Sequence, residues 1–492
     1  MPAVSCGSRA VGRILMSRGR RFTSGVAWMS VGVWAEQAFN FIIIAILARL
    51  LGAEAFGLVA MAAAFVLFSE FLVRETISEI LLTHDTLTPE RMNSVFWLLA
   101  LLGAGLTALI ILGSGPVSGF YDEPIAGQLL IGLSPTVLMI SLTAVPVALL
   151  RREMRFRVLA LRAVLGAIIG GIVGIGMALA DYGVWSLVGQ RVVMTATNIV
   201  MAWGAVSWRP SFHVSGHQIR QVLHFSHRII GLRAAELVAV QSPAVLIGAM
   251  LGPVSAGYYA IAWRVVETAS FLTITPLRMV SQPAFTAVTR GGGKASEMLL
   301  DVMRLTGFVT FPAFAGLAVL SEPVLVLLFG QKWIPAAPVL SLMSVFGMYL
   351  CTERVQQTFC LASGQPGRLA VLSWIEVVLA AIAITIAVPY GVPVVTAAFI
   401  AVFLIMWPFK FANLAAISGQ PAVRLALLHA PPLISAGIMA AGVVGCLAVL
   451  GDQANIARLG VGIAAGVVVY TCLAFVMMRD RFAVLKALAA RV

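Results

Sequence analysis

The chain has 492 residues, 60% of them hydrophobic and 11% charged, with a formal net charge of +13. So little polar surface cannot clothe a soluble core of this length, which places the chain in a bilayer. The basic residues are scattered over many gaps between apolar runs instead of gathered on one polar face, which excludes nucleic-acid binding as their purpose.

A hydrocarbon core of about 30 Å takes roughly 20 apolar residues per helix. On that measure the sequence predicts an all-α polytopic membrane protein of about 14 transmembrane helices. In chain order the spans are 25–49, 56–82, 92–115, 125–150, 158–180, 184–206, 222–250, 254–281, 299–320, 336–362, 369–388, 392–416, 425–450 and 456–478. The runs are continuous, not short and alternating, so they read as helices and not as barrel strands. The Gly/Pro/Asp gaps at 113–116, 181–183, 252–253 and 389–393 read as tight turns.

Lys and Arg set the orientation. Arg9, Arg13, Arg18, Arg20 and Arg21 precede the first span, and Arg91 follows the second. Arg151, Arg152, Arg155 and Arg157 follow the fourth, Arg209 and Arg220 the sixth, Arg290 and Lys294 the eighth. Arg368, Arg424 and the tail residues Arg479, Arg481, Lys486 and Arg491 continue the pattern, while the other gaps hold mainly acidic residues. Both termini are therefore expected in the cytoplasm, with the chain in the bacterial inner membrane. The segment RGRRF (18–22) reads as the positive flank of an uncleaved first helix, and Met1 and Met16 both stand as possible starts.

Cys6, Cys351, Cys360, Cys446 and Cys472 show no paired or metal-type spacing and read as free thiols, buried where they lie in spans. His84 and His429 stand alone, and His213, His217, His224 and His227 read as a loop cluster. No metal site and no cofactor is expected. The tryptophans, Trp333 and Trp407 among them, fall toward span ends and read as belt anchors.

The chain contains a duplication. RLLGAEAFGLVAMA (49–62) aligns with AMLGPVSAGYYAIA (249–262), pairing Leu51, Gly52, Gly57 and Ala60 with Leu251, Gly252, Gly257 and Ala260. The copies lie an even number of spans apart, so the halves share one orientation, a parallel repeat. The expected domains are a cytoplasmic basic N-terminus (1–24), an N-terminal six-helix bundle (25–210), a C-terminal six-helix bundle (211–416), and two extra helices with a basic tail (417–492). Two such pseudo-repeats around a central cleft form a transporter arrangement.

At this point the sequence resembles a family. ILARLLGAEAFGLVAMA (46–62), LTPERMNSVFWLLALLGAG (87–105), VPVALLRREMRFRVLAL (145–161), YGVWSLVGQRVV (182–193), LIGAMLGPVSAGYYAIAWRV (246–265) and FGQKWIPAAPVLSLM (329–343) are similar to the polysaccharide-exporting branch of the MOP flippase superfamily, the exporters of colanic and teichuronic acid type. Two stretches depart from that pattern: Val-Arg-Glu-Thr-Ile-Ser-Glu-Ile at 73–80 and Gln-Ser-Pro at 241–243. The resemblance implies a flippase, not an enzyme, that moves an undecaprenyl-pyrophosphate-linked oligosaccharide by alternating access. It also implies membrane lipid, a polysaccharide polymerase and glycosyltransferases as partners, and a monomer is the expected working unit because the two halves already form the cleft. A multidrug/cation antiporter of the same superfamily and a membrane-embedded glycan polymerase or ligase are the alternatives. No P-loop, catalytic triad or large outer loop supports enzymology.

A charge inside a span costs on the order of 3 kcal/mol and therefore faces a cavity or a partner. A pyrophosphate load calls for cations, which makes Arg191, Arg233 and Arg264 the candidate substrate-binding residues. Arg233 and Arg264 each have a glutamate three residues on and read either as phosphate ligands or as local ion pairs. Arg191 has no acidic neighbour on its own helix and needs an anion from elsewhere. Glu36 and Glu236 occupy matching places in the two repeats and, with Glu267, are the candidate ion-coupling residues, or else are paired structurally. Glu70, Arg74, Glu75 and Glu79 read as a network at the bundle mouth. Glu353 and Glu376 line a cavity or sit in local pairs, and Lys410 is expected to snorkel.

Overall fold

The structure, a computed structural model, describes residues 32–83, 88–290, 295–365, 367–451, 454–478 and 481. It is all-helical over those residues. Twelve described helices are long and apolar enough to cross a membrane. One of these, the 39-residue stretch Leu237–Thr275, breaks at Gly252. The 21-residue helix Trp185–Ala205, more polar than the rest, makes a further membrane-length segment of about 30 Å. The spans are then the 14 expected.

In chain order they are α1 (Gly32–Leu51), α2 (Ala53–Thr83), α3 (Pro89–Tyr121), α4 (Pro124–Arg152), α5 (Phe156–Leu179), α6 (Trp185–Ala205), α7 (216–251) and α8 (253–290). There follow α9 (Ala295–Val319), α10 (Ala337–Ala362), α11 (Gly367–Ala387), α12 (Val392–Ser418), α13 (Ala430–Leu450) and α14 (Asn455–Met477). Leu101, Ile172 and Val468, mid-helix, are 75, 66 and 62% exposed. That is costly in water and ordinary against lipid.

The chain forms two compact units. Among the described residues, the first comprises those up to Leu51 and from Phe65 to Ile230, the second Gly52–Ala64 and those from Gly231 on. The start of α2 thus belongs to the second unit and its remainder to the first.

In the first unit α5 lies along α6 on a ladder of glycines that sequence analysis passed over. Gly166, Gly170 and Gly174, four residues apart, face Asn198, the Gln190 carbonyl with Met194, and Gln190 with the Ser186 carbonyl. Small residues at this spacing let helix backbones approach closely within a bilayer. A Cβ on Gly170 would stand 2.7 Å from the Gln190 carbonyl oxygen, which is backbone and cannot swing aside.

In the second unit the two copies of the repeat meet. Gly52 and Gly252 both have positive φ, 92° and 80°, and begin their helices alike. A Cβ on Gly57 would strike the Pro253 carbonyl and lie 2.8 Å from the Gly257 nitrogen, while a Cβ on Gly257 would strike the Ala53 carbonyl. Ala53 and Pro253 are themselves equivalent in the repeat, so the contact is reciprocal, as across a local two-fold axis. Beneath it Trp333 is fully buried against Phe56, Tyr258 and Phe329, and is a core residue, not the belt anchor expected. Replacing Gly57 or Gly257 by valine is expected to lower stability by about 3 kcal/mol. Thermal unfolding in detergent reads this, with Gly105→Ala, which meets open space, expected to cause no loss.

The two last helices also belong to the second unit. α9, α13 and α14 share a core of Phe311, Ala315, Ala436, Met439, Tyr470 and Ala474. Tyr470 donates its hydroxyl hydrogen to the Phe308 carbonyl at 2.8 Å. Of the described thiols Cys351 and Cys360 are buried, but Cys472 is exposed, since it lies on the outer face of a helix that buries only one stripe.

Candidate functional site

Charged side chains gather inside each unit. In the first, α4 is interrupted at Ser134, because Pro135 has no N–H to give the Ile131 carbonyl. The Ser134 hydroxyl satisfies that carbonyl at 2.9 Å. The next residue, Thr136, is fully buried; its hydroxyl lies 2.7 Å from the Leu133 carbonyl and 3.1 Å from Glu70 Oε1 on α2. The other carboxylate oxygen of Glu70 accepts from Arg191 Nη2 of α6 at 2.7 Å. Glu70 is 3% exposed at its side chain and Arg191 32%. The anion that Arg191 lacked on its own helix is therefore Glu70, and part of the guanidinium remains open for a further acceptor.

In the second unit Lys410 of α12 is completely buried, so the expectation that it snorkels is wrong. Its ammonium contacts Glu353 Oε1 of α10, Glu376 Oε2 of α11 at 2.6 Å, and the Tyr349 hydroxyl at 2.8 Å. Tyr349 in turn donates to Glu376 Oε1 at 2.9 Å. All three donors of the ammonium are used. Phe346, Phe403 and Trp407 ring Tyr349 at centroid distances of 5.6, 5.5 and 5.8 Å and keep the cluster dry. Snorkelling fails because α12 carries Lys410 on the face buried against α10 and α11, along with Phe399, Phe403 and Met406. Two carboxylates oppose one ammonium, so full ionisation leaves one negative charge in excess. A further proton or cation restores neutrality, which a buried site strongly favours.

Among the remaining candidates, Arg264 and Glu267 pair at 3.4 Å along α8, each about two-fifths exposed. Glu36 is half-buried on α1 and engaged. The side chains of Arg233, Glu236, Arg74, Glu75 and Glu79 lie outside the described residues. No group of three potential metal ligands occurs among the described residues. The arginines after α4 and after α6 have a role that their sequence pattern did not show: Arg155 donates to the Ala205 carbonyl at 2.5 Å, and Arg209 to the Val206 carbonyl at 2.6 Å. Both guanidiniums close the open carbonyl end of α6, where a cation is favoured.

The chain is a helical, multi-pass membrane protein with an internal repeat and buried ionic groups in both units. The solved structures agree on the fold. The chain is similar to the lipid II flippase MurJ in its inward closed conformation, with a TM-score of 0.72 at 14% identity, over 92% of this chain and 99% of that one. It is also similar to an inward-facing MATE multidrug transporter of the MOP superfamily, with a TM-score of 0.55 at 14% identity, over 80% of this chain and 99% of that one.

Residues 46–338 match the family described as polysaccharide biosynthesis protein, and the chain belongs to that family. It is 28% identical to the succinoglycan biosynthesis transport protein ExoT of Rhizobium meliloti (strain 1021), over 75% of this chain and 74% of that protein. It is 23% identical to the teichuronic acid biosynthesis protein TuaB of Bacillus subtilis (strain 168), over 70% of this chain and 72% of that protein.

Proposed function

We propose that this protein is a flippase that carries undecaprenyl-pyrophosphate-linked oligosaccharide repeat units from the cytoplasmic to the periplasmic leaflet of the bacterial inner membrane, for exopolysaccharide or lipopolysaccharide biosynthesis. The observation that carries the reading is the conjunction of a MurJ-like fold with membership of a polysaccharide biosynthesis family. Transport proceeds by alternating access and is coupled to an ion, with both termini in the cytoplasm.

Arg191, with Arg233 and Arg264, meets the pyrophosphate and first sugar. What supports this for Arg191 is its geometry: one guanidinium edge is held by Glu70, so the side chain is aimed before the load arrives, while the rest stays accessible. Glu36, Glu236 and Glu267 stand as coupling carboxylates, and the Lys410–Glu353–Glu376 cluster joins them as the place in the second unit where charge balance calls for a cation. Each exchange of that cation changes a buried charge, a cost large enough to bias a two-state equilibrium.

The test is the sidedness of polyprenyl-linked repeat units in cells with and without the protein, read with a glycan-modifying probe confined to the periplasm. Accumulation on the cytoplasmic face, relieved by the intact gene, is the expected result. Unchanged sidedness with altered drug sensitivity points to the antiporter, and unchanged sidedness with altered chain length to the polymerase class.

A further inference from the structure

A cavity of about 550 Å³ opens in the second unit where the start of α9, the short helix Ala422–Leu427 and the end of α14 come together. Three arginines line it: Arg304, Arg424 and Arg481. Its other walls are apolar, among them Val423, Leu427, Pro431 and Met477, and no acidic residue lines it among the described residues. The site is held in shape. Arg481, 4% exposed, donates to the Arg304 carbonyl at 3.2 Å and to the Leu428 carbonyl at 2.7 Å, tying α9 to the segment before α13. Arg424 is exposed and is steadied by Gln420 at 2.9 Å. Arg304 pairs with Asp301 at 3.0 Å, and each of the three guanidiniums is a permanent cation.

We propose that this cavity binds an anionic glycerophospholipid of the surrounding leaflet, its phosphodiester against Arg304 and Arg424 and the head of one acyl chain along Val423, Leu427 and Met477. Three features select that ligand. The cluster of permanent cations demands an anion with several oxygen acceptors. The apolar wall beside it, with Val423 69% and Leu427 61% exposed, has no use for a free phosphate but suits a chain. The Lys and Arg pattern of the sequence assigns the gap that holds Arg424 and the tail that holds Arg481 to the cytoplasmic side, where an anionic leaflet is attracted to basic residues. This site shares no lining residue with the Lys410 cluster, and the proposal does not depend on what the protein transports.

The experiment is native mass spectrometry, with thermal unfolding alongside, of the full chain in neutral detergent. It is titrated with phosphatidylglycerol, with phosphatidylcholine, with glycerol 3-phosphate, and with undecaprenyl phosphate. Phosphatidylglycerol is expected to bind saturably, to raise the unfolding temperature, and to weaken as salt rises. Arg424→Gln and Arg304→Gln should each reduce its retention by about fivefold, the loss expected for one cation near a lipid phosphate. Arg424→Gln, an exposed position, keeps the lipid-free unfolding temperature and so separates lost binding from lost folding. Equal binding of phosphatidylcholine overturns the proposal, as does retention unchanged in both variants. Glycerol 3-phosphate binding as tightly as the lipid would reduce the site to a phosphate site, and undecaprenyl phosphate binding alone would assign it to the carrier lipid; either result also overturns it.

Discussion

Replacing Lys410 by methionine is expected to destabilise the protein by about 3–5 kcal/mol, because it leaves two carboxylates facing one another without a cation in a dry interior. Glu353 and Glu376 are only 7 and 2% exposed, and the tyrosine between them offers a hydrogen bond but no charge. Methionine fills about the same volume, so the loss reports charge and not packing. The triple change Lys410→Met with Glu353→Gln and Glu376→Gln should restore most of the stability, since it removes the whole ionic group together. Thermal unfolding of the purified variants in detergent measures both. Glu376→Gln alone leaves one carboxylate against one ammonium, a neutral pair. It should fold, and if the cluster exchanges a coupling ion, transport should lose its dependence on the ion gradient while uptake of load persists. A Glu376→Gln protein with normal ion dependence would contradict that role.

Replacing Arg191 by glutamine is expected to have a comparable consequence in the first unit, by a different balance. It removes the Arg191 ion pair from Glu70, which is nearly buried, while the Thr136 contact stays. The expected loss is about 3 kcal/mol, at the lower end for a buried pair because Arg191 is one-third exposed. The double variant Glu70→Gln with Arg191→Gln separates structure from function. It should recover stability, since two amides replace an ion pair without a stranded charge. If Arg191 meets the pyrophosphate, export should stay abolished in the recovered protein. If export returns with stability, the arginine served only to neutralise Glu70. Glu70→Gln alone frees the guanidinium and should slow release of the load without loss of binding.

The membrane-spanning helices were legible in the sequence because bilayer thickness imposes a length and a polarity that no other environment does. The break at Gly252 was legible for a local reason, a Gly-Pro pair between apolar runs, and the equivalent Gly52 follows from the repeat. What the sequence did not disclose was convergence across elements. Lys410 lies 57 residues from Glu353 and 61 from Tyr349, and only the packing of α12 on α10 and α11 brings them together. A lysine a few residues from a helix end reads as snorkelling until that face is seen to be buried. Glu70 and Arg191, 121 residues apart, pose the same difficulty. The arginine's want of a local acid was a correct signal that an anion lay elsewhere, but the sequence does not say whether protein or substrate supplies it. The glycine ladder of α5 was a different kind of omission. Gly166, Gly170 and Gly174 stand at helical spacing in plain view, and only their number among 45 glycines concealed them.

The most direct test of the central claim is translocation by the purified protein in liposomes. A polyprenyl-pyrophosphate-linked oligosaccharide is incorporated in both leaflets, and a glycan-cleaving enzyme is added outside. Without the protein, only lipid in the outer leaflet is cleaved. With it, the inner pool should become accessible and cleavage should approach completion, and the Arg191→Gln, Glu70→Gln double variant should leave the inner pool protected. An inner pool that stays protected in the presence of intact, folded protein, under an imposed proton or sodium gradient of either sign, would contradict the flippase reading.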